Sequence, residues 1–330
     1  MSTTRNMRFS CLAVAAFVLI VSLTLVNCGG GGGSGSGGGG TQPHIYVTDN
    51  NGGNNRIVRM DDMTGAGWTA LGSLGTGTNQ FSGPAGVFVD TAGKIYVADR
   101  QNSRIVRMDD MAGAGWTALG SLGTGTNQFS YPMGIFADTN GKIYVADTVN
   151  RRIARMDDMA GTNWTTYGSV GTGTNQFGYP SGIFVDTAGK IYVADITNNR
   201  IVRMDDMVGT NWTTLGSLGS GGGQFNAPEG IFVDTAGKIY VADAGNHRIV
   251  RTNDMAGTYW TTFGSYGSGT GQFNAPAGIF VDTAGKINVT DYYNWRIVRM
   301  DDMSGTNWTT FGSSGSGAGQ FGGPFGIFVR

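Results

Sequence analysis

The sequence repeats itself every 48 residues. Pro84, Pro132, Pro180, Pro228, Pro276 and Pro324 fall in step, as do Trp68, Trp116, Trp164, Trp212, Trp260 and Trp308, and Asp99, Asp147, Asp195, Asp243 and Asp291. A period of this size demands a solenoid, propeller or array, because each unit is a supersecondary piece that buries its apolar faces only against its neighbours. Within one unit, GVFVD (residues 86–90) and KIYVAD (residues 94–99) are β-branched and aromatic runs separated by Thr91, Ala92 and Gly93. That is hairpin spacing, with a glycine free to take positive φ. RIVRM (residues 104–108) and WTALG (residues 116–120) follow, each after a polar turn. No stretch places apolar residues at helical spacing, which excludes the helical solenoids. Four short strands make one antiparallel sheet that is apolar on both faces. Radial stacking of such sheets covers both faces while leaving short protected edges, which is the β-propeller solution.

The repeats begin and end out of phase. IYVTD from Ile45 matches the second strand of a unit, RIVRM from Arg56 the third and WTALG from Trp68 the fourth. After five complete units, PFGIFVR from Pro324 matches only a first strand. The two ends therefore predict a sixth blade in which residues 326–329 lie inside residues 45–47, closing the ring and removing open sheet edges. The expectation is an all-β, six-bladed β-propeller of four-stranded antiparallel blades, closed by pairing of N- and C-terminal strands.

The phrase NQFSYPMGIFADTNGKIYVADTVNRRIARMD (residues 127–157) resembles the NHL repeat, whose pattern runs roughly GQF, P-x-G, VD, G, IYVAD, N-x-R-I. The resemblance covers residues 42–330. It implies the propeller fold and leaves function open, since proteins with this repeat include RNA-binding, sensory, lyase and protein-binding members.

Residues 1–27 read as a signal peptide, with Arg5 and Arg8 ahead of an apolar run from Cys11 to Val26. The run spans 16 residues, short of the ~20 that a transmembrane helix needs. Leu25-Val26-Asn27-Cys28 resembles the lipobox of bacterial lipoproteins, with Asn27 where that pattern has a small residue. The resemblance implies lipidation at Cys28, with residues 28–41 a Gly/Ser tether of about 20 Å r.m.s. reach and residues 42–330 the propeller. The expected address is the outer membrane or surface of a bacterial cell, with a periplasmic or secreted protein as the alternative. Cys11 and Cys28 are the two cysteines, so no disulfide is expected inside the exported domain.

Several functions are disfavoured by counting. A formal net charge of −1 with no basic block argues against nucleic acid. Zinc lyases similar in fold use several histidines, whereas His44 and His247 stand at non-equivalent positions. Glu229 is the single glutamate, a poor basis for an acid/base pair. The Asp and Arg flanking the loop between strands two and three recur in every unit, as in Asp99 with Arg104. They read as loop-satisfying structure that also pairs charges between blades, and the DDM turns read as turn chemistry. No catalytic residue, metal or cofactor is assigned. The expectation is a monomeric binding or scaffold module for a protein or glycan of the cell envelope, held at the membrane by its lipid. An envelope hydrolase or lyase with its site at the channel mouth is the alternative.

The copies differ most around the proline and in the loop after each repeated aspartate. Tyr131, Met133, Tyr179, Glu229 and Phe325 flank the prolines and are expected to ring the mouth of the central channel. Tyr292, Tyr293 and Trp295 stand where other copies read RQNS, TVNR, ITNN or AGNH, the last contributing His247. Aromatic rings at a loop tip suit sugar stacking or partner anchoring.

Overall fold

A computed structural model describes residues 43–330. The expectations for the signal peptide, Cys28 and the tether lie outside the described residues. Six four-stranded antiparallel sheets form, each running strand by strand outward from the axis. In the first blade these strands are Pro84–Val89, Ile95–Asp99, Arg104–Met108 and Thr117–Leu119. Their register pairs Phe88 with Tyr96, Asp99 with Arg104 and Ile105 with Leu119. The second strand is buried at every position because it has a blade on each side, whereas the short outermost strand is mostly exposed. Proline cannot donate to a ladder, and the register of each inner strand shifts between the proline and the third residue after it. The repeated tryptophan falls one residue before the outer strand rather than within it.

The ring closes as the sequence predicts. Pro324–Val329 is the inner strand of a blade continued by Ile45–Asp49, Arg56–Met60 and Thr69–Leu71. Ile45 pairs with Val329, Tyr46 with Phe328 and Val47 with Ile327. His44 and Arg330 extend the ladder by exchanging backbone hydrogen bonds of 2.8 and 3.0 Å.

The core lies between blades. In one such layer, Tyr144, Ala146 and Ile153 of the second blade meet Ile183, Val185, Val193, Val202 and Met204 of the third, with Phe177 among them. Phe81, Phe129, Phe177, Phe225, Phe273 and Phe321 are all fully buried, each carried by the crossover that joins two blades. A buried phenylalanine contributes about 1.5–3 kcal/mol. The tryptophans do pack at these boundaries, as Trp212 does 5.2 Å from Phe177.

The Asp–Arg ladder is structural, though its ion pairs lie within blades. Asp99 is completely buried and accepts from Arg104 Nε at 2.7 Å, Asn102 Nδ2 at 2.8 Å and the Ser82 N–H at 2.7 Å. The tie between blades is made instead by Arg104, whose guanidinium donates to the crossover carbonyls of Thr76 and Gln80. Burial pushes the carboxyls of Asp99, Asp147, Asp243 and Asp291 up, against the opposing pull of these donors. In the DDM turn, Asp110 accepts from the N–H groups of Ala112 and Ala114, as turn chemistry requires.

Candidate functional site at the variable mouth

The inner strands line an axial channel with two unlike mouths. One face, here the crossover face, carries the loops between second and third strands and the crossovers between blades. The other, the hairpin face, carries the tight turns that join first to second and third to fourth strands. Each inner strand has a glycine pressed on its neighbour: a Cβ at Gly86 would lie 2.6 Å from the Met133 carbonyl oxygen. The strands thus meet backbone to backbone, and residues beside these glycines decide what each mouth presents.

At the crossover face the mouth encloses a cavity of about 90 Å³. The residue after each proline is Ala85, Met133, Ser181, Glu229, Ala277 or Phe325. Met133, Glu229 and Phe325 line the cavity together. Burial pushes the Glu229 carboxyl up to about 7, with Arg100 opposing. Arg100 opens the loop after Asp99, where the other copies have Asn50, Thr148, Ile196, Ala244 and Tyr292. Its Nε is buried and, among the described residues, has no hydrogen-bond partner. Tyr292 completes the group, its ring 6.1 Å from Phe325 and its hydroxyl donating to Asn50 Oδ1 at 3.3 Å. Burial, then Tyr293, pushes the Tyr292 phenol up, while Arg100 pulls it down. The cluster is therefore Arg100, Met133, Glu229, Tyr292 and Phe325, contributed by five blades. Arg100 escaped the sequence reading because RQNS looks like an ordinary polar turn. Its signal was a cation at a position neutral in every other copy.

The remaining candidates are dispersed. Tyr131 is 46% exposed beside its proline. Tyr179 lies under Arg151, with the guanidinium 3.7 Å from the ring centroid. Tyr293 and Trp295, 54% and 39% exposed, are not among the residues lining this cavity, and Trp295 borders a separate groove with Asn51, Gly52 and residues 314–316. His247 has a local duty: at φ 54° its Nδ1 accepts from the Ala275 N–H at 3.1 Å. Asn55 and Asn199 do the same work for Gly83 and Ala227. One further feature marks this face. Leu74, Leu122, Val170, Leu218 and Tyr266 occupy the same crossover position in five blades, each 64–69% exposed.

Glu229 supplies a pH-dependent test. Between about pH 4.5 and 7 the unfolded chain releases this proton while the folded chain keeps it. Its contribution to stability is therefore full at acid pH and lost as pH rises through about 7. Glu229→Gln is expected to leave the melting temperature unchanged near pH 4.5. Near pH 8 it is expected to raise stability by about 1–2 kcal/mol, below the full linkage value because the mouth is open to water. Melting curves across this range check it, and parallel pH profiles for the two proteins would refute it.

An NHL repeat model matches residues 81–108 and 225–251. A comparison with curated proteins finds no match. Among solved structures, the crystal structure of a nidogen/laminin complex contains a chain similar at a TM-score of 0.65 and 19% identity, over 87% of this chain and 98% of that one. A protein of unknown function from Bacteroides caccae gives a TM-score of 0.61 at 16% identity, over 87% and 98%. A streptogramin B lyase gives 0.55 at 16% identity, over 82% and 87%. At these identities the likeness is one of fold.

Proposed function

Starting from a chain of NHL repeats closed into a six-bladed β-propeller, we propose that it is an exported, lipid-anchored binding module whose crossover face engages a protein of the cell envelope. One observation carries this reading: six nearly identical blades share a frame yet diverge around one mouth, where Arg100, Met133, Glu229, Tyr292 and Phe325 each occur once. Repetition holds every position whose duty is structural, so divergence gathers where that duty ends. The ring of exposed apolar crossover residues favours a protein surface over a glycan. The nidogen/laminin chain shows that a propeller of this shape occurs within a protein complex. An envelope hydrolase or lyase at the same mouth is the second reading, favoured by Glu229 titrating near neutrality beside Arg100. Stoichiometric zinc or calcium in the purified chain would support that second reading.

The test uses the full chain with a photo-crosslinker introduced on the crossover face. Tyr293→Gly with Trp295→His gives this loop the residues found at Gly245 and His247, and spares Tyr292, which is tied to Asn50. Partner crosslinking is expected to fall with an affinity loss of about 2 kcal/mol or more, at an unchanged melting temperature. A large fall in melting temperature would make the two aromatics structural and remove them from the site. Fractionation of Cys28→Ser in the same series tests the anchor. Movement from the membrane to the soluble fraction is expected, and retention at the membrane would favour an uncleaved apolar segment.

A further inference from the structure

The hairpin-face mouth holds a larger cavity that the reading above does not use. Phe88, Phe136, Phe184, Phe232, Phe280 and Phe328 stand at one position of the six inner strands and meet around the axis. They form an unbroken circle, each centroid 4.6–5.1 Å from the next and neighbouring planes tilted by 48–68°. The mouth they floor encloses about 390 Å³, within the range of small-molecule sites, about 300–1,000 Å³.

Its charged lining is of one sign. Asp90, Asp138, Asp186 and Asp234 line it, each followed by a threonine, and among the described residues no Lys, Arg or His does. In each of these aspartates Oδ1 accepts from two N–H groups of its own turn, Ala92 and Lys94 for Asp90. Among the described residues Oδ2 hydrogen-bonds only to a tyrosine hydroxyl, at 3.3–3.4 Å. Among the described residues none of the four has an ion-pair partner. The turn lysine Lys94 reaches instead to Asp109 at 2.6 Å, off the axis.

The last two blades break the pattern. Asn288 replaces the tyrosine in the fifth, and Asp282 is paired with Arg299 at 2.8 Å. Arg330 replaces the aspartate in the closing blade and donates to the Thr91 carbonyl at 2.8 Å. Four uncompensated carboxylates therefore occupy one arc of an aromatic-floored cavity, and the opposite arc is neutralised or basic.

We propose that this mouth binds a small organic ammonium ion with an apolar body, the body packed on the phenylalanine circle and the cation turned toward the arc from Asp90 to Asp234. The apolar floor takes up the body, the aromatic rings add attraction for a cation, and carboxylates at the edge of a low-dielectric cleft reject anions of the same shape.

The experiment titrates the full chain calorimetrically with three size-matched probes: 2-phenylethylammonium, 2-phenylethanol and phenylacetate. The expected result is one ammonium per chain, the alcohol binding on the order of tenfold more weakly, and no detectable heat from phenylacetate. Asp138→Asn with Asp186→Asn keeps the Oδ1 acceptors that hold the turns. It is expected to bring the ammonium down to the affinity of the alcohol at an unchanged melting temperature. Phe184→Leu is expected to weaken both probes. Equal affinity for ammonium and alcohol, full ammonium affinity in the double Asn variant, or no binding of any probe would overturn the proposal. So would loss of ammonium binding in the Tyr293→Gly, Trp295→His variant, which leaves this mouth intact.

Discussion

Deleting residues 324–330 is expected to abolish the monomeric fold. The segment supplies the inner strand of the closing blade, and its loss strips Ile45–Asp49 of one of its two ladders. Ile327 and Val329, both buried, leave the core between the fifth and closing blades. Phe328 leaves the axial circle, where it bridges Phe88 and Phe280 at 5.0 and 4.7 Å. At about 1.5–3 kcal/mol for each buried side chain, the loss is comparable to the about 5–15 kcal/mol that holds a typical domain. The exposed edge of Ile45–Asp49 then offers unpaired N–H and C=O groups to another chain, and oligomers are the expected escape. Size-exclusion chromatography and a melting curve check this. A monomer with the parent melting temperature would show that the closure contributes nothing.

Asp243→Ala is expected to cost about 3–5 kcal/mol, the usual result of removing one partner of a buried ion pair. That corresponds to a fall of about 10 °C in melting temperature for a domain of this size. Asp243 is fully buried and takes three donors: Arg248 Nε at 2.7 Å, Asn246 Nδ2 at 2.8 Å and the Asn226 N–H at 2.7 Å. Its removal orphans all three. Because Arg248 and Asn246 also donate to Ser220, Gln224 and Gly219, the crossover from the preceding blade loosens with them. Asp110→Ala, which removes an exposed turn aspartate of the first blade, is expected to change melting little. Equal effects of the two substitutions would mean that the buried carboxylate has no special role.

The architecture was legible because it is written six times. A 48-residue period, four short runs per unit and two complementary ends specify blades, their number and their closure before any contact is known. The sites were less legible, for two different reasons. His247 stood out as one of two histidines, yet its place in the loop is the left-handed position that Asn55 and Asn199 fill elsewhere, and its ring performs their hydrogen bond. Rarity of type misled there, since the duty belongs to a backbone position. Phe88 failed in the opposite direction. Present in every copy, it reads as ordinary core, and nothing in one unit reveals that six copies converge on an axis. A property of the closed ring cannot be read from a single repeat.

The closing blade also determines how the molecule bears force. The chain enters at His44 on the hairpin face and runs straight into Ile45–Asp49, which is bonded to Arg56–Met60 on one side and to Pro324–Val329 on the other. A pull on residue 43 directed away from the hairpin face acts along that strand. Both ladders are then loaded in shear, with all their hydrogen bonds strained at once, rather than peeled open one at a time. If the chain is tethered through its N-terminal segment and its partner sits at the crossover face, tension between the two passes through the strand best placed to resist it. The same seam that completes the ring then serves as its mechanical clamp.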